Sequence, residues 1–248
     1  MSPFSTAQQS SDARSASLEV YLLGLVDFDS ARFLQDRLVY EISGRSDAQA
    51  ALLVCEHPPI VTIGREGSRA HVLAEPRELV ARQMDVRWLN RGGGCLVHAP
   101  GQLAVYPILP LERLGIGVAG YRRRLEESVI DTTREIQVPA SRRPDEPGVW
   151  CRTGQFAFLG AAVKGWISYH GMFINVSPPT DLLKLVRSVK PGDRVTTLAA
   201  ERCRLTSMHA VRSGLVRNLA RRLGYERHHL YTGHPLLRGT TRKIYVHA

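Results

Sequence analysis

Residues 90–107 read NRGGGCLVHAPGQLAVYP, the stretch that most constrains the fold. An apolar run at 86–89 precedes it and predicts a strand, after which come Arg91 and three consecutive glycines. Glycine permits positive φ and lets a ligand or another backbone approach closely. His98 and a Pro100-Gly101 turn follow at once. We therefore predict a strand that enters a glycine-rich loop suited to close approach by a ligand or by another segment.

The flanking sequence alternates apolar strand runs with amphipathic helices. The patterns predict strands at 18–25, 51–55, 60–63, 86–89, 103–109, 148–151, 155–159 and 167–176. Helices are predicted from about 30 to 42, at 75–83, 117–136 and 207–223, and weakly at 180–190. Residues 137–147 carry three prolines and predict a loop. Strand runs mixed with segregated helices indicate an α+β fold, a mixed sheet flanked by helices.

Composition indicates one globular domain. The chain has 248 residues, of which 44% are hydrophobic and 23% charged, and this suits a domain with a sizeable core. We expect a disordered lead-in at 1–17, a single domain at 18–224 and an irregular tail at 225–248. No apolar run approaches the roughly 20 residues of a membrane helix. We therefore expect a cytoplasmic protein that does not bind membranes.

The formal net charge of +10 favours binding to nucleic acid, to an anionic membrane or to acidic protein partners. Arginines cluster at 122–124 and between 202 and 227, where solvated helix faces are the simpler interpretation. Nucleic-acid binding is the distant alternative. No aromatic RNP signature, zinc finger, P-loop or separate helix-turn-helix accompanies the arginines.

The four cysteines Cys55, Cys95, Cys151 and Cys203 stand far apart, and no CxxC pair occurs. A zinc ribbon or a thioredoxin-like site is therefore not indicated. Nothing marks the chain as secreted, so we expect free and mostly buried thiols in a reducing compartment. No metal site is expected.

The glycine-rich stretch resembles the signature of the octanoyltransferase (lipoate-protein ligase B) family, which reads close to RGGQVTYHGPGQLVGYP. Shared positions are Arg91, Gly92, Gly93, His98, Pro100, Gly101, Gln102, Leu103, Tyr106 and Pro107. Three further segments are similar to the family's HPP…TLGR, GVW/GVY and (T/S)xHGxxxNV motifs. They are His57-Pro58-Pro59 with Thr62-Ile63-Gly64-Arg65, then Gly148-Val149-Trp150, then Ser168-Tyr169-His170-Gly171 with Asn175-Val176. The resemblance covers roughly residues 20–200, with the motifs in the family's order and spacing.

The resemblance implies the fold of biotin and lipoate protein ligases and an acyltransferase domain at 18–224. Members of the family take an octanoyl group from acyl carrier protein and pass it to a lipoyl-domain lysine, a step of lipoate biosynthesis and protein lipoylation. The implied partners are octanoyl-acyl carrier protein and the lipoyl domains of 2-oxoacid dehydrogenase or glycine cleavage complexes. No cofactor is implied.

By the same match, two groups of residues would line an acyl channel. They are Arg91, Gly92, Gly93, Gly94, Cys95, Leu96, Val97 and His98, and then Phe158, Leu159, Gly160, His170, Gly171, Met172 and Phe173. His98 and His170 are either hydrogen-bonded structural histidines or part of the geometry around the acyl carbonyl. Metal binding by this pair is not expected, since a third ligand at a sensible spacing is lacking.

The sequence departs from the family at both members of its catalytic dyad. The family's nucleophilic cysteine stands in a Pro-Cys-Gly triplet, where this chain reads Lys190-Pro191-Gly192-Asp193. The lysine that lowers the thiol's pKa is replaced by Gln155, so Gln155 and Gly192 occupy the dyad positions. The usual thioester route is therefore not expected to operate.

Three accounts remain open from the sequence. Cys95 or Cys151 could act as the nucleophile, although each is also typical of a small apolar filler. Transfer could instead pass directly from the carrier thioester to the lysine, through positioning alone. The chain could also be a non-catalytic relative that binds an acyl chain, a lipoyl domain or acyl carrier protein. Lys164 and Lys190 are candidate substitute cations or ordinary solvated lysines.

Overall fold

The computed structural model describes residues 16–188, 190 and 192–237, and its strands form two sheets. The larger sheet contains β1 (Ser17–Leu25), β2 (Ala50–Glu56), β6 (Gln102–Ile108), β7 (Ser141–Arg143), β8 (Glu146–Cys151), β9 (Gly154–Lys164), β10 (Ile167–Asn175) and β11 (Arg227–Thr232). The smaller sheet contains β3 (Ile60–Ile63), β4 (Asp85–Trp88) and β5 (Cys95–His98). The strand order is β11-β1-β2-β6-β10-β9-β8-β7 in the first sheet and β4-β3-β5 in the second.

Both sheets are mixed. Strand β1 runs parallel to β2 and β11, whereas β2-β6-β10-β9-β8-β7 is antiparallel throughout. In the smaller sheet β3 pairs in parallel with β4 and antiparallel with β5. The α+β class, a mixed sheet flanked by helices, is therefore confirmed.

Helices cover both faces of the large sheet. They are α1 (Phe28–Ser43), α2 (Pro76–Ala81), α3 (Val118–Glu135), α4 (Thr180–Leu183), α5 (Leu198–Arg202) and α6 (Met208–Leu223). Helix α1 buries Leu34 and Leu38 on one face of the sheet, while α3 and α6 bury Leu125 and Leu219 on the other. The small sheet has its own core with α2 and α4. No helix in the described residues has the length and apolar character needed to cross a membrane.

Local signals fix where the longer helices begin and end. The Asp27 carboxylate accepts the Ser30 N–H at the start of α1, and the Ser207 hydroxyl accepts the Ala210 N–H at the start of α6. Helix α6 ends at Gly224, whose φ of +89° is the left-handed conformation that glycine adopts without strain.

Helix α3 anchors the β7–β8 hairpin through the buried carboxylate of Glu126. Its Oε1 accepts the Gly148 N–H at 3.1 Å and the Arg122 Nε–H at 2.7 Å, and Oε2 lies 3.2 Å from the Arg142 Nε. A buried carboxylate is stable only when it is paired in this way. Glu126 thus fixes a hairpin that forms one wall of the cleft described below.

Two sequence expectations are wrong within the described residues. The predicted loop at 137–147 contains β7, a short polar edge strand that lacks the apolar alternation by which strands are recognised. The segment after Tyr225, expected to be irregular, contains β11. All of its residues are exposed, and backbone pairing with β1 holds it there together with a Tyr21–Tyr231 ring stack at 5.2 Å.

Smaller differences concern helix and strand lengths. The weak helix predicted at 180–190 is confined to α4, while α5 and β5 were not anticipated. The lead-in expected at 1–17 lies outside the described residues up to residue 15, and β1 begins at Ser17. Residues 238–248 of the expected tail also lie outside the description.

Gly171 of β10 tests the close packing of the central strands. A Cβ at this position would lie 2.0 Å from the Val105 carbonyl oxygen of β6. We expect Gly171→Ala to lower the free energy of unfolding by about 3 kcal/mol, because backbone atoms must move apart. In the matched control Gly120→Ala, within α3, the nearest atom lies at 3.9 Å. We expect that control to gain up to about 1 kcal/mol in urea denaturation.

Candidate functional site

A cleft of about 410 Å³ opens between the glycine loop, defined as residues 91–94, and strand β9. The β7–β8 hairpin and the residues after α4 complete its walls. Its lining residues are Glu66, His71, Arg91, Gly93, Gly94, Leu96, Asp145, Glu146, Pro147, Trp150, Gln155, Phe158, Leu159, Arg187, Ser188 and Lys190. Apolar side chains from β5, β8 and β9 therefore share the cleft with charged groups.

The structure brings part of the sequence-predicted set to this cleft. Its members Arg91, Gly93, Gly94, Leu96, Phe158 and Leu159 line the cleft. The remaining members, Gly92, Cys95, Val97, His98, Gly160, His170, Gly171, Met172 and Phe173, do not belong to the lining. Two of them contact the support of the glycine loop: His98 bonds to Thr62 and Gln102, and a Cβ on Gly160 would lie 3.0 Å from Arg91 Cδ.

Residues 64–66, which follow β3, are hydrogen-bonded to the glycine loop through their backbone N–H groups. Gly64 N–H donates to Gly94 O at 3.1 Å, Arg65 N–H to Arg91 O at 2.9 Å and Glu66 N–H to Gly93 O at 3.1 Å. A Cβ on Gly64 would lie 2.4 Å from the Gly93 oxygen, so only glycine fits there. The TIGR and RGG motifs are therefore two halves of one structural unit.

The Arg91 side chain is fully buried and holds the glycine loop through hydrogen bonds to its carbonyl groups. Its Nη1 donates to Gly92 O at 2.9 Å, and its Nη2 donates to Gly94 O at 3.0 Å and to Thr62 O at 3.2 Å. Burial lowers the pKa of Arg91 to about 10, so the guanidinium stays charged at neutral pH. No carboxylate of the described residues lies within ion-pair distance, and main-chain carbonyl dipoles stabilise the charge instead.

A hydrogen-bond relay leads from Arg91 to the end of β10. Arg91 Nη2 donates to Thr62 Oγ1 at 2.8 Å, and the Thr62 hydroxyl therefore donates to His98 Nε2 at 2.8 Å. His98 Nδ1 then donates to Gln102 Oε1 at 2.7 Å, and Gln102 Nε2 donates to Asn175 Oδ1 at 2.9 Å. Every donor direction agrees with one neutral His98 tautomer, so the HGPGQ-like and NV motifs act together as a support for the loop.

Three buried histidines are held in the neutral form. Burial lowers the pKa of His57 and of His170 to about 4, and nearby arginines add to the effect at His170. Burial holds the pKa of His98 well below its usual range, and the neighbouring His57 and the Arg91 guanidinium add to the effect. His57 donates to Val26 O and accepts from the Tyr106 hydroxyl. Within the described residues His57 and His98 therefore have structural hydrogen-bond partners.

Neither candidate thiol belongs to the cleft lining. Cys95 is fully buried in the small sheet's core, and its Sγ donates to Ser68 O at 3.4 Å. Cys151 lies half-buried at the end of β8, with its Sγ 3.5 Å from Thr153 Oγ1. Burial raises the pKa of both thiols, which disfavours the nucleophilic thiolate.

The two dyad positions differ in their placement. Gln155 is buried and lines the cleft, whereas Gly192 is exposed, has a φ of +93° and is not a lining residue. Of the candidate cations, Lys190 lines the cleft and lies 3.6 Å from the Glu146 carboxylate, while Lys164 is exposed at the far end of β9.

Several lining residues were missed by the sequence reasoning. They are Glu66, His71, Asp145, Glu146, Pro147, Trp150, Arg187 and Ser188. Trp150 was noted as part of a strand motif, but the acidic pair 145–146 fell in the segment predicted to be a loop. In the described part of the chain, no group of three or more His, Cys, Asp or Glu side chains could hold a metal ion.

Comparisons with known proteins agree with this architecture. Residues 30–220 match the family model for the lipoyl protein ligase A/B catalytic domain. An octanoyltransferase of Geotalea uraniireducens is 39% identical over 183 residues, which are 72% of this chain and 80% of that protein. An octanoyltransferase of Chloroflexus aggregans is 37% identical over 208 residues, which are 82% of this chain and 93% of that protein.

Among solved structures, a bipartite lipoate protein ligase from Thermoplasma acidophilum aligns with a TM-score of 0.70 at 16% identity. The alignment covers 90% of this chain and 89% of that one, and at this identity it speaks for the fold alone. The fold is that of lipoate protein ligases, as the resemblance implied. The chain belongs to the lipoyl protein ligase A/B catalytic-domain family.

The neutral histidines predict a stability that falls in mild acid. An unfolded histidine has a pKa of about 6.5, so both states are uncharged above that pH and the full stability is present. As the pH falls below it, the unfolded chain binds protons that the fold excludes, until the folded pKa of about 4 is reached at His57 and His170. By pH 5 each of these histidines should remove about 2 kcal/mol from the free energy of unfolding.

Urea denaturation of His170→Asn at pH 7 and pH 5 checks this expectation. Asparagine tolerates the left-handed backbone that His170 adopts, with a φ of +52°. We expect the variant's loss of stability between the two pH values to be about 2 kcal/mol smaller than that of the wild type. The exposed His209→Asn serves as control, and an unchanged pH dependence in His170→Asn would contradict the assignment.

Proposed function

We propose that this chain transfers an octanoyl group from acyl carrier protein to a lysine of a lipoyl domain. The cleft beside the glycine loop is the proposed acyl site. Two observations on known proteins support the proposal: the octanoyltransferases cited above share more than a third of their aligned residues with this chain, and the archaeal neighbour is described together with an E2 lipoyl domain. The proposed partners are octanoyl-acyl carrier protein and lipoyl domains, and the free thiols fit a cytoplasmic location.

The observation that carries the proposal is the composition of the cleft. Leu96, Trp150, Phe158 and Leu159 give it apolar walls on which an acyl chain can lie. The loop supplies a main-chain donor as well, because the Gly94 N–H has no hydrogen-bond partner among the described residues. Such a donor can stabilise the oxyanion that forms when the acyl carbonyl is attacked.

The transfer that fits this cleft has no covalent enzyme intermediate. The lysine amine attacks the carrier's thioester carbonyl, a C–N bond forms and the C–S bond breaks. The carrier thiolate leaves and takes up the proton released by the amine. Holding donor and acceptor together supplies the rate enhancement through positioning.

The second candidate is an acyl-binding protein without turnover. The absence of the family's catalytic cysteine and lysine favours this candidate, since Gln155 stands at the lysine position and Gly192 at the cysteine position. Such a protein would bind the octanoyl chain or its carrier in the cleft and leave the lipoyl domain unmodified.

The decisive experiment combines purified protein, octanoyl-acyl carrier protein and a lipoyl domain, followed by intact mass. We expect the lipoyl domain to gain one octanoyl group as an amide that resists hydroxylamine. The enzyme itself should carry no hydroxylamine-labile adduct. A lipoyl domain whose target lysine is replaced by arginine is the control.

The cysteine variants Cys95→Ala and Cys151→Ser should retain transfer within about twofold of the wild type. A labile octanoyl adduct on the wild-type enzyme that either substitution abolishes would contradict direct transfer. Binding of an octanoyl chain without any transfer would favour the second candidate.

A further inference from the structure

Gln155 lines the cleft, and the Nε2 end of its side-chain amide is hydrogen-bonded to the backbone. The side chain is only 6% exposed. Its Nε2 donates to Ala157 O at 3.2 Å and to Pro147 O at 3.3 Å. Two carbonyl acceptors on one side fix the orientation of the amide, because a flipped amide would place Oε1 against both oxygens.

The backbone around Gln155 is built to hold this orientation. Gly148, with a φ of +136°, leaves the space that the amide occupies, since a Cβ there would lie 2.3 Å from Gln155 Nε2. The main chain of Gln155 is bonded on both sides as well. Its N–H donates to Arg194 O at 2.8 Å, and its carbonyl accepts the Thr196 N–H at 2.9 Å.

The remaining end of the amide, Oε1, has no hydrogen-bond partner among the described residues, and it is not one of the solvent-excluded atoms. Because Gln155 lines the cleft, its Oε1 is an open acceptor to which a ligand can donate a hydrogen bond. Asp145 and Glu146 line the same cleft on the neighbouring hairpin. Glu146 lies near Arg143 and Lys190, and none of the ion pairs among the described residues involves Asp145.

Acceptor groups at this position suit a primary amine or ammonium group. An ammonium carries three donors and no acceptor, and it is attracted by a carboxylate. A lysine at position 155, as in the family pattern, would repel such a group and favour a thiolate instead. With glutamine in place of lysine, position 155 is suited to bind the acceptor amine and no longer to activate a nucleophilic thiol.

We propose that Gln155 Oε1, with the Asp145 carboxylate, binds the amino group of the acceptor lysine and orients it toward the acyl carbonyl. This inference rests on the proposed octanoyl transfer and assigns its acceptor subsite. In the step, Gln155 accepts one N–H of the neutral amine while the nitrogen lone pair forms the C–N bond. The C–S bond breaks, and the proton lost by nitrogen ends on the departing thiol.

The test measures transfer rates while donor and acceptor concentrations are varied separately. We expect Gln155→Leu and Asp145→Asn each to lower kcat/KM for the lipoyl domain at least about tenfold. Their KM for octanoyl-acyl carrier protein should stay within about twofold of the wild type. Asp36→Asn, an exposed acid on α1, is the matched control and should change neither value.

Binding of a non-hydrolysable octanoyl-pantetheine amide, measured by calorimetry, separates the possible failures. If Gln155→Leu does not fold by circular dichroism, the exposed Asp145→Asn decides the question. If the wild type transfers the octanoyl group and both folded variants do so within about twofold of its rate, the acceptor subsite is overturned. The proposed function would still hold in that case. Analogue binding without any wild-type transfer would overturn both.

Discussion

The buried guanidinium of Arg91 determines the shape of the glycine loop, because a charge with no carboxylate partner among the described residues must be met by main-chain dipoles. The carbonyls of Thr62, Gly92 and Gly94 turn toward it. The Gly92 and Gly93 N–H groups are bonded to Ala161 O and Glu66 Oε1, so of the three glycines in the loop it is Gly94 whose N–H has no partner among the described residues. Gly64 and Gly160 are needed as well, since a Cβ at either position would press on Arg91 or on the loop.

The relay beyond Arg91 extends this constraint across the fold. It joins the loop to β3, β5, β6 and β10 through Thr62, His98, Gln102 and Asn175, and its single donor direction requires a neutral His98. A buried polar network of this kind depends on each of its hydrogen bonds, because a polar group that loses its partner in the interior is costly. The motifs that resemble those of the octanoyltransferases are thus largely the scaffold of the cleft, and we propose that the few side chains that face it carry the chemistry.

Periodicity and motif were enough to predict the apolar strands other than β5, the long helices and the position of the glycine loop. They could not reveal β7 and β11, because Ser141–Arg143 and Arg227–Thr232 are polar edge strands held by pairing with their neighbours. The sequence also named Phe158 and Leu159 as channel residues while missing Trp150, Asp145 and Glu146. These residues lie on a hairpin that pairs with β9 and that Glu126, a helix residue distant in sequence, contacts at Gly148 and Arg142.

The most direct test of the account is a crystal structure with a non-hydrolysable octanoyl-pantetheine amide. The account predicts the eight-carbon chain against Leu96, Phe158 and Leu159, with its carbonyl oxygen at the Gly94 N–H and the Arg91 hydrogen bonds intact. An octanoyl chain bound elsewhere, or a cleft that excludes it while the Arg91 relay is preserved, would contradict the account.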